Sequence, residues 1–148
     1  MSFVRIYVHT VWATLNREKS LQPEARKIIF DHIKENAVKK EIFIDCINGY
    51  TDHVHCLISL GKQQSICDVL QLIKGESSFW INKNKIIPTK FRWEEQFYAD
   101  AISFSQIDNV RKYIYSQEEH HKKVTWQEEC DNFLKDFGLY EQVKSKLG

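Results

Sequence analysis

The chain has 148 residues, enough for one domain whose core needs no disulfide or metal staple, and we expect a single domain over 1–148. A formal net charge of +1 does not mark a nucleic-acid binder, and 43% apolar with 28% charged residues excludes a disordered or fibrous chain. No apolar run approaches the roughly 18 residues of a membrane span, and MSFVRIYVHTVWATLNR lacks the parts of a signal peptide, so the expected location is the cytoplasm. Cys46, Cys56, Cys67 and Cys130 form no C-x-x-C pair, which argues against a zinc knuckle or a thioredoxin-like centre. Residues 1–90 hold 13 Lys and Arg against 9 Asp and Glu, whereas 91–148 hold 8 against 11; the basic bias of the first part permits phosphate binding without announcing it.

In chain order, FVRIYVHTVWAT (3–14) is rich in β-branched and aromatic residues and reads as a strand. Asn16 to Ser20 is a polar loop. Pro23 suits a first helical turn, and Ala25, Ile28, Ile29, His32, Ile33 and Ala37 keep helical spacing, so 23–40 is expected as an amphipathic helix. EIFIDCINGYTDHVHCLISL (41–60) has two strand-like runs around NGYTD and reads as a hairpin. Ser65 can cap the next helix, with Asp68 at the capping-box position and an apolar stripe through about residue 83. KNKIIPTK is a basic loop, QFYADAISFS (96–105) a strand, IDNVRKYIYSQEEHHKK (107–123) a helix of about four turns, and TWQEECDNFLKDFG (125–138) a helix capped by Thr125 and stopped by Gly138. The order β-α-β-β-α-β predicts an α+β, ferredoxin-like antiparallel sheet with helices on one face, followed by C-terminal helices. That fold hosts many functions, so activity must be argued from residues.

Alternation along HVHCLISL puts Val54, Cys56, Ile58 and Leu60 on one apolar face and His53, His55, Leu57 and Ser59 on the other. Two imidazoles pointing the same way can hold one ion, yet two solvated histidines on an open sheet face have the same spacing. On the helix from 107, Tyr113 and Gln117 stand one turn apart, with Asn109 and His120 or His121 near the same face. Two His, one Gln carbonyl oxygen and water suit Mg²⁺ or Mn²⁺ better than structural zinc. A phosphate beside such an ion is open to attack by the Tyr113 phenol, which needs help losing a proton held at pKa about 10. An isolated Y-x-x-x-Q pair also arises by chance from packing tyrosines.

HTVWATLNR, GYTDHVHCLISL, LIKGESSFWIN and VRKYIYSQEEHHKKVTWQEE together resemble the single-tyrosine transposases of insertion sequences, members of the HUH nucleases, including relatives associated with repetitive extragenic palindromes. The likeness runs over residues 9 to about 137. It implies His53, His55 and Gln117 as ligands of Mg²⁺ or Mn²⁺ and Tyr113 as the nucleophile. The implied partner is single-stranded DNA with a hairpin, cleaved and rejoined through a 5′-phosphotyrosine bond by a homodimer with composite active sites. Arg17 matches a basic residue after the family's first strand, while Leu15 stands where members often carry Lys. Lys74, Lys83, Lys85 and Lys112 are further candidates for phosphate contact, and Trp12, Trp80, Trp93 and Trp126 could stack on bases, although burial is the commoner fate of tryptophan. The alternative is a domesticated or non-catalytic nucleic-acid-binding module of the same fold. A third reading is a phosphodiesterase that uses water, with Tyr113 merely structural.

Overall fold

The structure, a computed structural model, describes residues 1–121 together with 128, 129 and 132. The chain divides into two compact units, Met1–Gln117 and Glu118–Gly148. The first carries β1 (Ile6–Thr14), α1 (Pro23–Lys39), β2 (Phe43–Gly49), β3 (His53–Leu60), α2 (Ile66–Lys83), β4 (Trp93–Ile102) and α3 (Ile107–Tyr115); α4 (Gln117–His121) begins at its last residue. Most of the helix read over 125–138, with Trp126 and Cys130, lies outside the described residues, as do the side chains of His120 and His121.

The four strands form one antiparallel sheet in the order β2-β3-β1-β4, the expected ferredoxin-like arrangement. Val54, Cys56 and Ile58 of β3 and Trp12 of β1 pack under α1 and α2, against Ile29, Ile33, Val69, Leu70 and Ile73. This is the main core, and it uses the apolar strand face that alternation assigns. Proline opens α1, and the Ser65 side chain accepts the Asp68 N–H at 3.1 Å to start α2.

The opposite face is not left open. α3 docks there, placing Ile107 and Ile114 on Cys46 and Leu57, with Tyr7, Ile102, Val110 and Tyr113 packed alongside. The helices of the first unit therefore lie on both faces of the sheet: two on the main core and α3 on the histidine side.

The expected four-turn helix from 107 breaks at Ser116. The Tyr113 carbonyl, which a continuous helix would offer to the next turn, accepts the Ser116 N–H at 3.3 Å, the Ser116 hydroxyl at 3.1 Å and the Gln117 side-chain amide at 3.1 Å. Asn48 Nδ2 on β2 donates to the Ile114 and Tyr115 carbonyls at 3.0 and 3.3 Å. With these carbonyls engaged, the ladder of α3 stops at Tyr115.

The first strand begins at Ile6 rather than at residue 3, and the last one spans Trp93–Ile102 rather than 96–105. Pairing sets both limits: Ile6 is the first β1 residue with a β3 partner, and Thr14 reaches Trp93 across a bulge.

Candidate active site

His53 and His55 sit on β3, buried and on the same face as His9 and Val11 of the neighbouring β1. Their ring centroids are 5.2 Å apart, and one ring nitrogen of each lies within 4.8 Å of the other. The tight hairpin before them explains part of this order. Gly49 ends β2 where the chain turns into β3, the Tyr50 N–H bonds back to the His53 carbonyl at 3.0 Å, and a Cβ on Gly49 would collide with that same oxygen.

Each histidine is held through Nδ1. His53 Nδ1 donates to Asp52 Oδ1 at 2.8 Å, an arrangement that fixes a ring and raises the basicity of its other nitrogen. His55 Nδ1 lies 2.9 Å from His9 Nε2, with the two rings stacked at 5.2 Å. His53 Nε2 lies 3.4 Å from Gln117 Oε1, and in the neutral ring with its proton on Nδ1 toward Asp52 that nitrogen carries the lone pair. The amide orientation is set from the other end, where Gln117 Nε2 donates to the Tyr113 carbonyl.

Two electron-pair donors facing each other at this spacing fit adjacent ligands of a small divalent cation, which stand roughly 3 Å apart when each bond is about 2.1 Å. Imidazole nitrogen and amide oxygen are both ligands for divalent cations. The donor set therefore fits a metal, with His53, His55 and Gln117 as the residues that would hold it.

Tyr113 projects from α3 toward the same place. Its ring is 5.5 Å from that of His55 and 6.1 Å from that of His9, both edge-on. Docking of α3 sets this approach. Besides the Ile107 and Ile114 contacts, Arg111 grips Asp45 of β2 through two parallel bonds, Nε to Oδ1 at 2.8 Å and Nη2 to Oδ2 at 2.7 Å. The bonded Asp45 carboxylate raises the Arg111 pKa and keeps the fork charged. The residues expected at the site, His53, His55, Tyr113 and Gln117, thus converge within the chain.

Residues 2–117 match the family described as IS200-like transposases. The chain belongs to that family. It is 25% identical over 115 residues to the ISDra2 transposase TnpA of Deinococcus radiodurans, covering 74% of this chain and 81% of that one. Two solved structures share the fold. One, described as a transposase from Deinococcus radiodurans R1, superposes with a TM-score of 0.61 at 21% identity, over 78% of this chain and 93% of that chain. The other is a REP-associated tyrosine transposase bound to a REP hairpin, with a TM-score of 0.63 at 16% identity, over 84% of this chain and 73% of the other.

The basic candidates come from separate segments. Arg17 lies exposed in the 3-10 turn after β1, and both it and Asn16 adopt positive φ, at 54° and 57°. Lys83 is exposed at the end of α2 with its ammonium 5.8 Å from the Phe79 ring centre, Lys85 is exposed at φ 52°, and Lys112 is exposed on α3. Lys74 differs from the rest. It is half-buried and donates to the Glu94 and Glu95 carbonyls at 2.6 and 2.9 Å, tying α2 to β4. Burial lowers its pKa, opposed by the charges of Glu94 and Glu95.

Trp12 and Trp93 are buried and meet edge to face at 5.9 Å, and Trp93 Nε1 donates to Ser77 Oγ at 2.9 Å. Both belong to the core. Trp80 stacks on His32 at 3.7 Å.

Asp52, the Asp before H-x-H, stands behind His53, and residues that sequence reasoning did not single out complete the site: His9 behind His55, and Asp45, Arg111 and Asn48 behind the tyrosine helix. Asp52 was visible as the residue before H-x-H. His9 was legible only as an inward histidine of β1, because its partner depends on strand register.

Proposed function

We propose that this transposase cleaves and rejoins single-stranded DNA beside hairpins, with Tyr113 as the nucleophile and His53, His55 and Gln117 holding Mg²⁺ or Mn²⁺. The convergence of these four side chains in one buried site carries the reading. The ion, when bound, supplies charge that polarises a phosphate oxygen. The protein's own groups do the rest. Asp52 orients His53, and the docked α3 brings the Tyr113 phenol to the phosphate. The phenolic oxygen loses its proton, forms a bond to phosphorus, and the bond from phosphorus to the 3′ oxygen breaks; that oxygen takes up a proton and leaves as a 3′-OH. A 3′-OH attacking the 5′-phosphotyrosine reverses the exchange, so strands are rejoined without an external energy source.

DNA with a hairpin is the expected partner, as in the REP-associated relative. Arg17, Lys83, Lys85 and Lys112 are available to phosphate, and Lys74 retains one of its three N–H donors. The reading includes one catalytic domain over 1–148 and a homodimer.

The test is incubation with Mg²⁺ and single-stranded oligonucleotides carrying hairpins from the gene's flanks. The expected product is a protein–DNA adduct that survives denaturation and is absent in Tyr113→Phe. Cleavage persisting in Tyr113→Phe would assign the attack to water. Binding without cleavage on every flank would leave a non-catalytic or domesticated module.

A further inference from the structure

Asp52 accounts for His53 but not for His55. The group behind His55 is another histidine, His9, from the neighbouring strand. Both rings are buried, stacked, and joined by one hydrogen bond of 2.9 Å between His9 Nε2 and His55 Nδ1. Register explains the meeting. Val11 is the residue directly across from His55, His9 is two residues away on the same strand face, and a ring is long enough to reach diagonally.

One hydrogen bond between two neutral imidazoles has two orientations. If His9 Nε2–H donates, His55 Nδ1 accepts, and the single proton of His55 sits on Nε2. That nitrogen then has no lone pair for a cation. If His55 Nδ1–H donates, His9 Nε2 accepts, the His9 proton sits on its own Nδ1, and His55 Nε2 is a ligand. The tautomers of the two rings are therefore tied together, and only one combination binds a metal.

We propose that His9 is a positioning residue, which holds His55 in the Nδ1–H tautomer and fixes its ring so that Nε2 serves as a ligand. It does for His55 what the Asp52 carboxylate does for His53. The two ligands are held differently. A carboxylate holds the first, and a second imidazole ring, stacked as well as bonded, holds the second. This inference rests on the metal reading of His53 and His55 above.

The experiment uses the full chain without DNA. Mn²⁺ is titrated, with the free ion followed by electron paramagnetic resonance, into wild type, His9→Phe and His9→Gln. Phe keeps an aromatic ring for stacking and removes the acceptor, whereas the Gln side-chain oxygen restores an acceptor near the Nε2 position. The expected loss in His9→Phe is about 10- to 100-fold in Mn²⁺ affinity, the range for removing a group that orients a ligand. His9→Gln should recover most of it. In parallel, ¹⁵N shifts of His55 in the metal-free wild type should show a protonated Nδ1 and a bare Nε2.

Unchanged Mn²⁺ affinity in a folded His9→Phe would overturn the proposal, as would equal losses in the Phe and Gln variants. A wild-type His55 carrying its proton on Nε2 would also overturn it, and that reading stands even if His9→Phe fails to fold. A wild type that binds no Mn²⁺ at all would instead remove the metal reading itself.

Discussion

Replacing Ile114 by alanine isolates the docking of the tyrosine helix from the stability of the sheet. Ile114 has no exposed surface and belongs to the small cluster with Cys46, Leu57 and Ile107, separate from the core under α1 and α2. The substitution removes three carbons. At about 0.8 kcal/mol per buried methylene the transfer loss is about 2.4 kcal/mol, and the cavity left behind extends the range to about 2–5 kcal/mol. Because the Ile114 side chain packs on the sheet through this cluster rather than the main core, most of the loss falls on local opening of α3. At 1.4 kcal/mol per tenfold, a loss of 2 kcal/mol speeds exchange of α3 amide hydrogens by roughly 30-fold. Hydrogen exchange read by mass spectrometry should show this acceleration in 107–115, with much smaller changes in β1 and β3. Ile58→Ala, in the main core, should accelerate exchange across the sheet as a control. Adduct formation by Ile114→Ala should fall along with α3 protection, because Tyr113 is held by that helix. Exchange of α3 as in wild type, or acceleration only in step with the sheet, would refute independent docking of the helix.

Asp52→Ala removes the acceptor that holds His53 Nδ1 at 2.8 Å, so Mn²⁺ affinity measured by calorimetry should drop about 10- to 100-fold; an unchanged affinity would show that Asp52 does not orient the ligand. Gly49→Ala drives a methyl group into the His53 carbonyl and to 3.1 Å from the Phe30 ring, so urea unfolding should show a loss of about 1–3 kcal/mol; a variant as stable as wild type would mean that the hairpin relaxes freely. Burial, helped by the Asp45 charge, pushes the Cys46 thiol up to about 12 and raises Cys56 further, whereas Cys67 is exposed. At pH 8 a thiol-specific disulfide reagent should label Cys67 quickly and spare Cys46 and Cys56 until denaturant is added; equal labelling of Cys46, located by peptide mapping, would contradict its burial. The sign for stability follows from the same shift. The unfolded chain releases these thiol protons near the ordinary value of 9.0 while the folded chain keeps them, so stability should fall as pH rises from 9.0 toward about 12. Denaturant midpoints measured at pH 8 and pH 10 in a reducing buffer check it.

Much of the site was legible because strand and helix periodicities are local. Alternation of Val54, Cys56 and Ile58 with His53, His55 and Leu57 separates the core face from the histidine face with no knowledge of neighbours. The Ser65 cap, Pro23 and the turn before His53 are equally local, and each stands where its chemistry places it. Lys74 shows the limit of this reasoning. A lysine on an amphipathic helix carries no sequence mark that tells a solvated ammonium from one spent on the Glu94 and Glu95 carbonyls.

The sequence by itself determined the order of elements, the strand faces and the residue types at the candidate site, since periodicity and chemical character need only the chain's own neighbours. Tertiary structure decided what meets what. His9 and His55 are 46 positions apart, and only the β1–β3 register brings their nitrogens to 2.9 Å. Asp45 and Arg111, 66 positions apart, hold α3 on the histidine face, and Asn48 of β2 engages its last carbonyls. Those contacts turn a Tyr and a Gln one turn apart into a site in which Tyr113 faces His55 of its own chain, because hydrogen bonds and packing between distant segments depend on geometry that no local pattern encodes.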